Sequence, residues 1–503
     1  MLAIVPSATL LGAEGRPVSV EVHVANGLPS FSVVGLPDEA CREARDRVRA
    51  ALLSSGLPWP LTRITVNLAP SGVRKTGAGL DLAIAVGVLV AAEAVPAEAV
   101  RGLAFLGELG LDGSVRRIPG VVPLVAALDE WTPVVPPGCE AEAALVARRE
   151  VRSARNISEL VEVLARGAPW PPPAPAPDVE AAEALPDLAD VRGQIMARLA
   201  IEAAAAGGHH LLLLGPPGAG KTMLAQRLPG LLPALGREMA LETTMIHSAA
   251  GLPLPDGLVR RPPLRAPHHT ASLVAMVGGG TASMRPGEVS LANGGVLFLD
   301  ELGEFQPAVL DGLRQPLEEG VVRVTRARAS VQFAARFQLV AAMNPCPCGA
   351  SGQPGACRCG EGTRFRYLRR VSGPLLDRFD LRLEVARPGV EELLGVPMGE
   401  STADVMVRVR IAREAAAARG HSLSSAIPGP LLDDVAPLTK AARLVLRREL
   451  EADRLSGRGL HRVRRVARTL ADLRGCHGEI DEQWVSTALN LRIDPLEHAR
   501  RAA

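Results

Sequence analysis

One stretch limits what this chain can fold into more than any other: "HHLLLLGPPGAGKTMLAQRL", His209 to Leu228. Leu211 to Leu214 run without a polar break, as a strand buried on both faces does. Gly215, Pro216, Pro217, Gly218, Ala219, Gly220, Lys221 and Thr222 then match the pattern G-x-x-x-x-G-K-[ST]. "TMLAQRL" continues with helical spacing. A strand that ends in a glycine-rich loop and re-enters as a helix aims backbone N–H groups and the positive helix end at one point. Lys221 there reaches the β- and γ-phosphates of a nucleotide, and Thr222 offers a hydroxyl to Mg²⁺. The chain is therefore expected to hold a P-loop α/β domain that binds ATP with Mg²⁺.

The companions of such a loop follow downstream. "GGVLFLDE" delivers Asp300 and Glu301 from the apolar run Val296 to Leu299. This is the Walker B arrangement, in which Asp300 holds Mg²⁺ through water and Glu301 polarises the attacking water. "FQLVAAMNP" is a further apolar strand, carrying Asn344 at its end. It resembles the strand of AAA+ ATPases that bears sensor 1, a polar residue near the γ-phosphate. "SGPLLDRFD" sets Arg378 where an arginine finger, donated across a subunit boundary, would stand. After "GVPMGESTAD" the pattern is helical to the end. There "LSGRGLHRVRRVARTLADL" makes a basic helix with Leu460, Val463, Val466, Ala467 and Leu470 on one face. Arg458 at its start is the candidate sensor 2, reaching the nucleotide from a helical lid, with Arg462 as the fallback. Between Arg443 and Arg468 nine arginines face three acids. Such an excess reads as a solvated helix face or as a nucleic-acid contact.

A chain of 503 residues exceeds one ordinary domain. "RGAPWPPPAPAPDVEAAEA" is a stiff Pro/Ala linker. The expected division is 1–167, a linker at 168–185, an ATPase core at 186–394 and a helical lid at 395–503. In the first part Val18, Val20, Val22 and Val24 alternate with polar partners, as on a half-buried strand. "DEACREARDRVRAALLSSG" has the acidic start and terminal glycine of a helix. "LTRITVNLAP" is another strand and "LDLAIAVGVLVAAEAV" an apolar helix, which makes this part α+β. "RKTGAGLDLAIA" and "LGELGLDGSVRRIPGVVPLVAALDE" resemble the proteolytic domain of Lon-type proteases, an S5 domain 2-like fold. Lon-type catalysis uses a serine and a lysine; the matching positions here carry Gly79 and Val122. The resemblance thus implies a domain without acyl-transfer chemistry. Nearby Lys75 reads as a solvated or phosphate-facing lysine.

Longer motifs extend the likeness: "RAPHHTASLVAMVGGG", "PGEVSLANGGVLFLDELGEF", "LRQPLEEGVVRVTRA", "NPCPCG" and "SGPLLDRFD". With them the chain is similar to the magnesium-chelatase-like AAA+ ATPases of the YifB/ComM type. That resemblance implies an ATP-driven homo-hexamer with a Lon-like N-terminal domain, an AAA+ core and a helical C-terminal domain. Competence-associated members drive branch migration of DNA when incoming strands recombine in natural transformation. Branched or single-stranded DNA and recombination proteins are the implied partners. In this branch a hairpin just before sensor 1 carries DNA-contacting basic residues. Here "VVRVTRARASVQFAARF" reads as two strands with a turn near Ala327 to Ser330. Arg323, Arg326 and Arg328 at or near its tip would track phosphates without reading sequence. The alternative is an edge hairpin packed on a neighbouring subunit. "VAMVGGGTASMRPGE" is a second segment for the pore, and it has no aromatic residue with which to grip a polypeptide. Two further readings stay open: a protein-remodelling motor that docks through a degenerate protease domain, and the motor of a metal-chelatase complex.

The totals agree with a soluble motor. Net charge is only +2 and aromatics are 3%, so nucleic-acid contact would fall on phosphates rather than stacked bases. No apolar run approaches the ~20 residues that span a bilayer. "MLAIVPSATLLGAEG" lacks the basic region of a signal peptide. A cytoplasmic protein without a membrane partner is expected. Four of the seven cysteines crowd into "NPCPCGASGQPGACRCG" as Cys346, Cys348, Cys357 and Cys359. Four thiolates can close a structural Zn²⁺ site. Because the C-x-C pairs are tighter than the usual spacing, free thiols and a redox disulfide remain as alternatives.

Overall fold

The computed structural model describes residues 1–173, 185–280, 284–326, 329–349, 357–394 and 399–493, with Arg326, Ala329 and Leu393 described by their backbone alone. Near the N-terminus, strands Leu2–Leu11 and Glu14–Ala25 form a long antiparallel hairpin. Strand Arg63–Ala69 joins it antiparallel, and Ser30–Val34 closes the sheet in parallel. The alternating valines face inward: Val18, Val20 and Val22 are buried and Val24 is half-buried. Helix Glu39–Ser54 begins at Asp38, whose carboxylate accepts the Cys41 N–H, an N-cap for an orphan donor. Helix Asp81–Ala91 is buried along its whole length. Its one charge, Asp81, accepts from Arg47 Nε at 2.7 Å. Burial still outweighs that pairing and pushes the Asp81 carboxyl up to about 6.

The central part is a five-stranded sheet, all parallel, in the order Leu264–Arg265, Val296–Leu299, Gln338–Met343, Leu211–Leu214, Leu381–Glu384. Its three inner strands are apolar runs, save Gln338, rather than alternating ones because both faces are covered. The sequence does not order them by chain position. Gln338–Met343 inserts between the glycine-rich-loop strand and the Asp300 strand, with Val340 opposite both Leu211 and Phe298. The C-terminal ends of three strands therefore lie side by side, and ligands gather at such an end.

Among the described residues four longer helices follow: Thr402–Ala418, Lys440–Glu451, Gly457–Leu473 and Glu482–Asn490. They share one core with helix Ile195–Gly207 and strand Leu211–Leu214. Helix Gly457–Leu473 corrects the sequence reading. Val463, Val466, Ala467 and Leu470 are buried as expected, and Leu460 is half-buried. Of the nine arginines, Arg443, Arg447, Arg448, Arg454 and Arg458 are exposed as on a solvated face, but Arg464, Arg465 and Arg468 turn inward. Arg464 donates to the carbonyls of Leu432 and Ala436 and to Asp433 at 2.7, 3.0 and 2.8 Å. Arg465 donates to the Ile427 carbonyl at 2.8 Å. Arg468, fully buried, donates to the Gly478 carbonyl at 2.6 Å and pairs with Asp472 at 3.0 Å. Carbonyls at chain turns and helix ends need donors, and a guanidinium offers five on an apolar stem.

The N-terminal and central parts touch. Gly120 and Val122 donate their N–H groups to the Ser248 carbonyl and hydroxyl at 2.8 and 3.2 Å. A cavity of 190 Å³ opens between them, lined by Thr9, Leu10, Gly79 and Ile118 on one side and Ala249 and Met284 on the other. Gly79 offers no nucleophile to it, and Val122 is buried. Lys75 is not solvated as expected: its side chain is buried and its ammonium donates to the Pro70 carbonyl. Among the described residues no helix is long and apolar enough to cross a membrane.

Candidate nucleotide site

Strand Leu211–Leu214 runs into the glycine-rich loop, and helix Lys221–Leu231 leaves it. Gly220 sits at φ +83°, a left-handed conformation that aims the loop's N–H groups toward its centre and that a side chain would strain. Lys221 Nζ donates to the Gly215 and Pro216 carbonyls at 2.6 and 2.9 Å and to Asn344 Oδ1 at 3.2 Å. Thr222 Oγ1 donates to Asp300 Oδ2 at 2.7 Å. These groups converge from separate strands because the sheet order sets their strand ends side by side. A cavity of 370 Å³ lies over them, lined by residues 217–223, Asp300, Glu301 and residues 342–344. Desolvation pushes the Lys221 ammonium down, while Asp300 opposes the shift. The donor set fits a nucleotide with Mg²⁺. The glycine-rich loop and an ammonium line one cavity, and a hydroxyl and a carboxylate, both hard oxygen ligands, stand in contact at its edge.

Glu301 stands beside this pair at φ +53°, with its N–H bonded to Asp300 Oδ1 at 2.9 Å. Its Oε2 lies 3.0 Å from His269 Nδ1. His269 packs edge-on against Phe305 and beside His268. The sequence reading passed over His269, which lies just beyond strand Leu264–Arg265. It also passed over Gln194, whose Nε2 donates to the Ala219 carbonyl at 2.7 Å, and Arg387, whose Nε donates to the Pro217 carbonyl at 2.9 Å. Gln194 and Arg387 hold the loop by its backbone, so no residue pattern within the loop points to them.

Arg378, Arg458 and Arg462 do not line this chain's own nucleotide cavity. Strand Leu381–Glu384 runs parallel to Leu211–Leu214, with Leu381 opposite Leu211. Arg378 precedes that strand, so it stands at the end of the sheet opposite its own glycine-rich loop, roughly 13 Å of strand away. It is ion-paired with Glu318. Arg462 donates to Asp380 and to the Arg378 carbonyl, so the fallback sensor is a half-buried fastener. Burial would raise Asp380, but the His209 hydrogen bond and Arg462 together hold it well below the usual carboxylate range. Arg458 is exposed and close enough to Arg378 to depress it, burial being the larger cause. Arg458 is not among the residues that line the cavity.

The hairpin Val321–Arg326 and Ala329–Ala334 is antiparallel, as expected. Its turn is tighter than read, since Ser330 lies within the second strand opposite Thr325. Arg323 is exposed but mid-strand, opposite Gln332, and ion-paired with Glu319. The side chain of Arg326 and all of Arg328 fall outside the described residues. The apolar face, Val322, Val324, Val331 and Phe333, is buried, and Leu11 and Ala13 of the N-terminal hairpin pack against the same core. Beyond Asn344, the four thiols of Cys346, Cys348, Cys357 and Cys359 lie within 4.8 Å of one another. No disulfide joins them.

Residues 187–393 match the family described as magnesium chelatase, subunit ChlI. Residues 20–136 match subunit ChlI of Mg-chelatase, and residues 399–492 match the C-terminal part of magnesium chelatase subunit ChlI. An uncharacterised protein of Mycobacterium tuberculosis is 47% identical over 97% of both chains. Uncharacterised protein YifB of Escherichia coli is 43% identical over 94% of this chain and 93% of its own. Competence protein ComM of Haemophilus influenzae is 41% identical over 98% of this chain and 97% of its own.

Proposed function

The chain belongs to the magnesium-chelatase-like AAA+ family of the YifB/ComM type, and from that membership we propose that it is a ring-forming, ATP-hydrolysing motor that moves DNA. The observation that carries the reading is the convergence of Lys221, Thr222, Asp300, Glu301 and Asn344 on one cavity. Bound ATP with Mg²⁺ supplies the phosphoryl group and the counter-charge. Loop N–H groups and Lys221 neutralise the phosphates as charge shifts toward the leaving oxygen. Thr222 and Asp300 would hold the Mg²⁺, Glu301 would polarise the attacking water, and Asn344 would stand near the γ-phosphate. Arg378 acts on the nucleotide of the neighbouring subunit, since its own is at the other end of the sheet. Arg458, on the same end, acts with it. The N-terminal part serves as a Lon-like domain without protease chemistry, because Gly79 and Val122 occupy the positions of the nucleophile and its base. The C-terminal helices serve as the lid.

DNA is favoured over polypeptide for two reasons. A relative of near-full length is named for competence. The segment around "MVGGGTASMRPG" also offers no aromatic grip. Arg323, Arg326 and Arg328 are the proposed phosphate contacts, with branch migration in recombination as the work done. The test is ATP turnover with no polymer, single-stranded DNA, branched DNA and unfolded protein. Stimulation by branched or single-stranded DNA is expected. Stimulation by unfolded protein alone would sink the DNA reading and support protein remodelling. An Arg323/Arg326/Arg328 triple-alanine variant is expected to keep basal hydrolysis and lose DNA stimulation; if stimulation survives, the hairpin is not the contact.

A further inference from the structure

The thiols of Cys346, Cys348, Cys357 and Cys359 take no part in phosphate chemistry, yet they lie just beyond Asn344, which lines the nucleotide cavity. Cys346 Sγ lies 3.3 Å from Cys348 Sγ and 3.7 Å from Cys357 Sγ, and Cys348 Sγ lies 3.6 Å from Cys357 Sγ. A disulfide needs about 2.05 Å. Around a tetrahedral Zn²⁺ with Zn–S near 2.3 Å, the sulfurs stand about 3.8 Å apart. The four sulfurs therefore have the span of one tetrahedral ion, with four soft ligands that leave no open position. A multi-iron cluster would hold them further apart.

We propose that these four cysteines bind one structural zinc ion, and that the ion fixes the wall of the nucleotide cavity. Three contacts carry the second part, which rests on the ATPase reading. Cys346 and Cys348 follow directly on Asn344, whose Oδ1 accepts from Lys221. Gly349 closes the first pair, its N–H bonded to the Cys346 carbonyl at 3.0 Å and its φ at +75°. A Cβ on Gly349 would come within 2.7 Å of Pro217 Cγ, so this turn lies directly on the glycine-rich loop. On the other side, the Cys359 carbonyl accepts from Arg364 Nε at 3.1 Å. Arg364 belongs to helix Glu361–Leu368, whose Tyr367 ring covers Gly303, just past Glu301. One ion thus ties together the sensor strand, the glycine-rich loop and the turn after Glu301.

The test uses the full chain purified without added metal. Mass-spectrometric metal analysis is expected to find about one zinc per chain, lost in a Cys346→Ser/Cys348→Ser variant. Zinc is then stripped from the wild type with a mercurial and a chelator, and restored after thiol reduction. Affinity for a fluorescent ATP analogue is expected to fall about ten-fold on stripping and to return with zinc. Gly349→Ala is expected to keep its zinc and bind the analogue more weakly, which separates a coupling defect from misfolding of the serine variant. Absent zinc, or iron in its place, overturns the metal assignment. Full zinc content with unchanged affinity on stripping overturns the coupling. If the untreated protein binds no nucleotide, the ATPase reading fails while the zinc count still decides the site.

Discussion

Lys221 and Glu301 face the same cavity, yet their loss should be told apart. Lys221→Ala removes an ammonium that meets the phosphates in every state, so nucleotide affinity and turnover are both expected to collapse. Glu301→Gln keeps the shape and removes only the carboxylate that polarises water. Binding should persist while turnover falls about 10²–10³-fold; equal loss of binding in both variants would deny Glu301 that role. A second residue-scale expectation concerns pH. His210 Nδ1 accepts the Leu339 N–H at 3.0 Å, and burial pushes its pKa down to about 4 from 6.5. The unfolded chain therefore takes up a proton that the folded one refuses. The contribution of His210 is intact above pH 6.5 and is lost as pH falls toward 4, by at most about 3 kcal/mol. Asp81, raised to about 6, acts in the opposite sense over part of that range. The comparison must therefore be between wild type and His210→Asn, in urea unfolding at several pH values. The variant is expected to show the shallower loss on acidification, and parallel curves would contradict the assignment. At this scale the gathering of Lys221, Thr222, Asp300, Glu301 and Asn344 at one cavity was legible, because a phosphate and Mg²⁺ site is expected to use those residue types at those spacings. Gln194 and Arg387 were not, because each binds a backbone carbonyl that any residue presents.

Helix Gly457–Leu473 shows what periodicity does and does not reveal. Its apolar stripe was readable at 3.6-residue spacing, but the sense of its charge was not. An arginine on a solvated face and one threaded to a buried carbonyl occupy the same kind of position in a helical pattern. The structure separates them. Arg468→Ala would leave Asp472, 1% exposed, short of a partner and strip a donor from the Gly478 carbonyl. A loss of about 3 kcal/mol or more is expected in urea unfolding. Arg447→Ala, which removes an exposed pair with Glu451, should change stability by less than about 0.5 kcal/mol. If Arg468 faced DNA instead, Arg468→Ala would weaken DNA binding and leave the unfolding midpoint where it was. The hairpin teaches the converse lesson. Its two strands were legible, but the ion pair of Arg323 with Glu319 joins it to the preceding helix, which no strand pattern contains.

For the whole molecule, the sequence conveys the order of parts but not the order of strands. Parallel strands pair through contacts distant along the chain, so nothing local says that Leu381–Glu384 lies beside Leu211–Leu214. Yet that pairing decides which nucleotide Arg378 can serve. It leaves Arg378 and the loop at opposite ends of one sheet, and a head-to-tail ring would bring one subunit's Arg378 toward the next subunit's loop. Subunits carrying Arg378→Ala and subunits carrying Lys221→Ala should each form rings with little turnover. Mixed before assembly in equal amounts, they should regain activity. An interface works when an intact loop from an Arg378→Ala subunit meets an intact arginine from a Lys221→Ala subunit. Random mixing makes about a quarter of interfaces of that kind, so turnover near a quarter of wild type is expected if sites act independently. Less would mean that neighbouring sites must fire together. If Arg378 served its own nucleotide, no mixture could restore a complete site, and the mixed rings would stay as inactive as either parent.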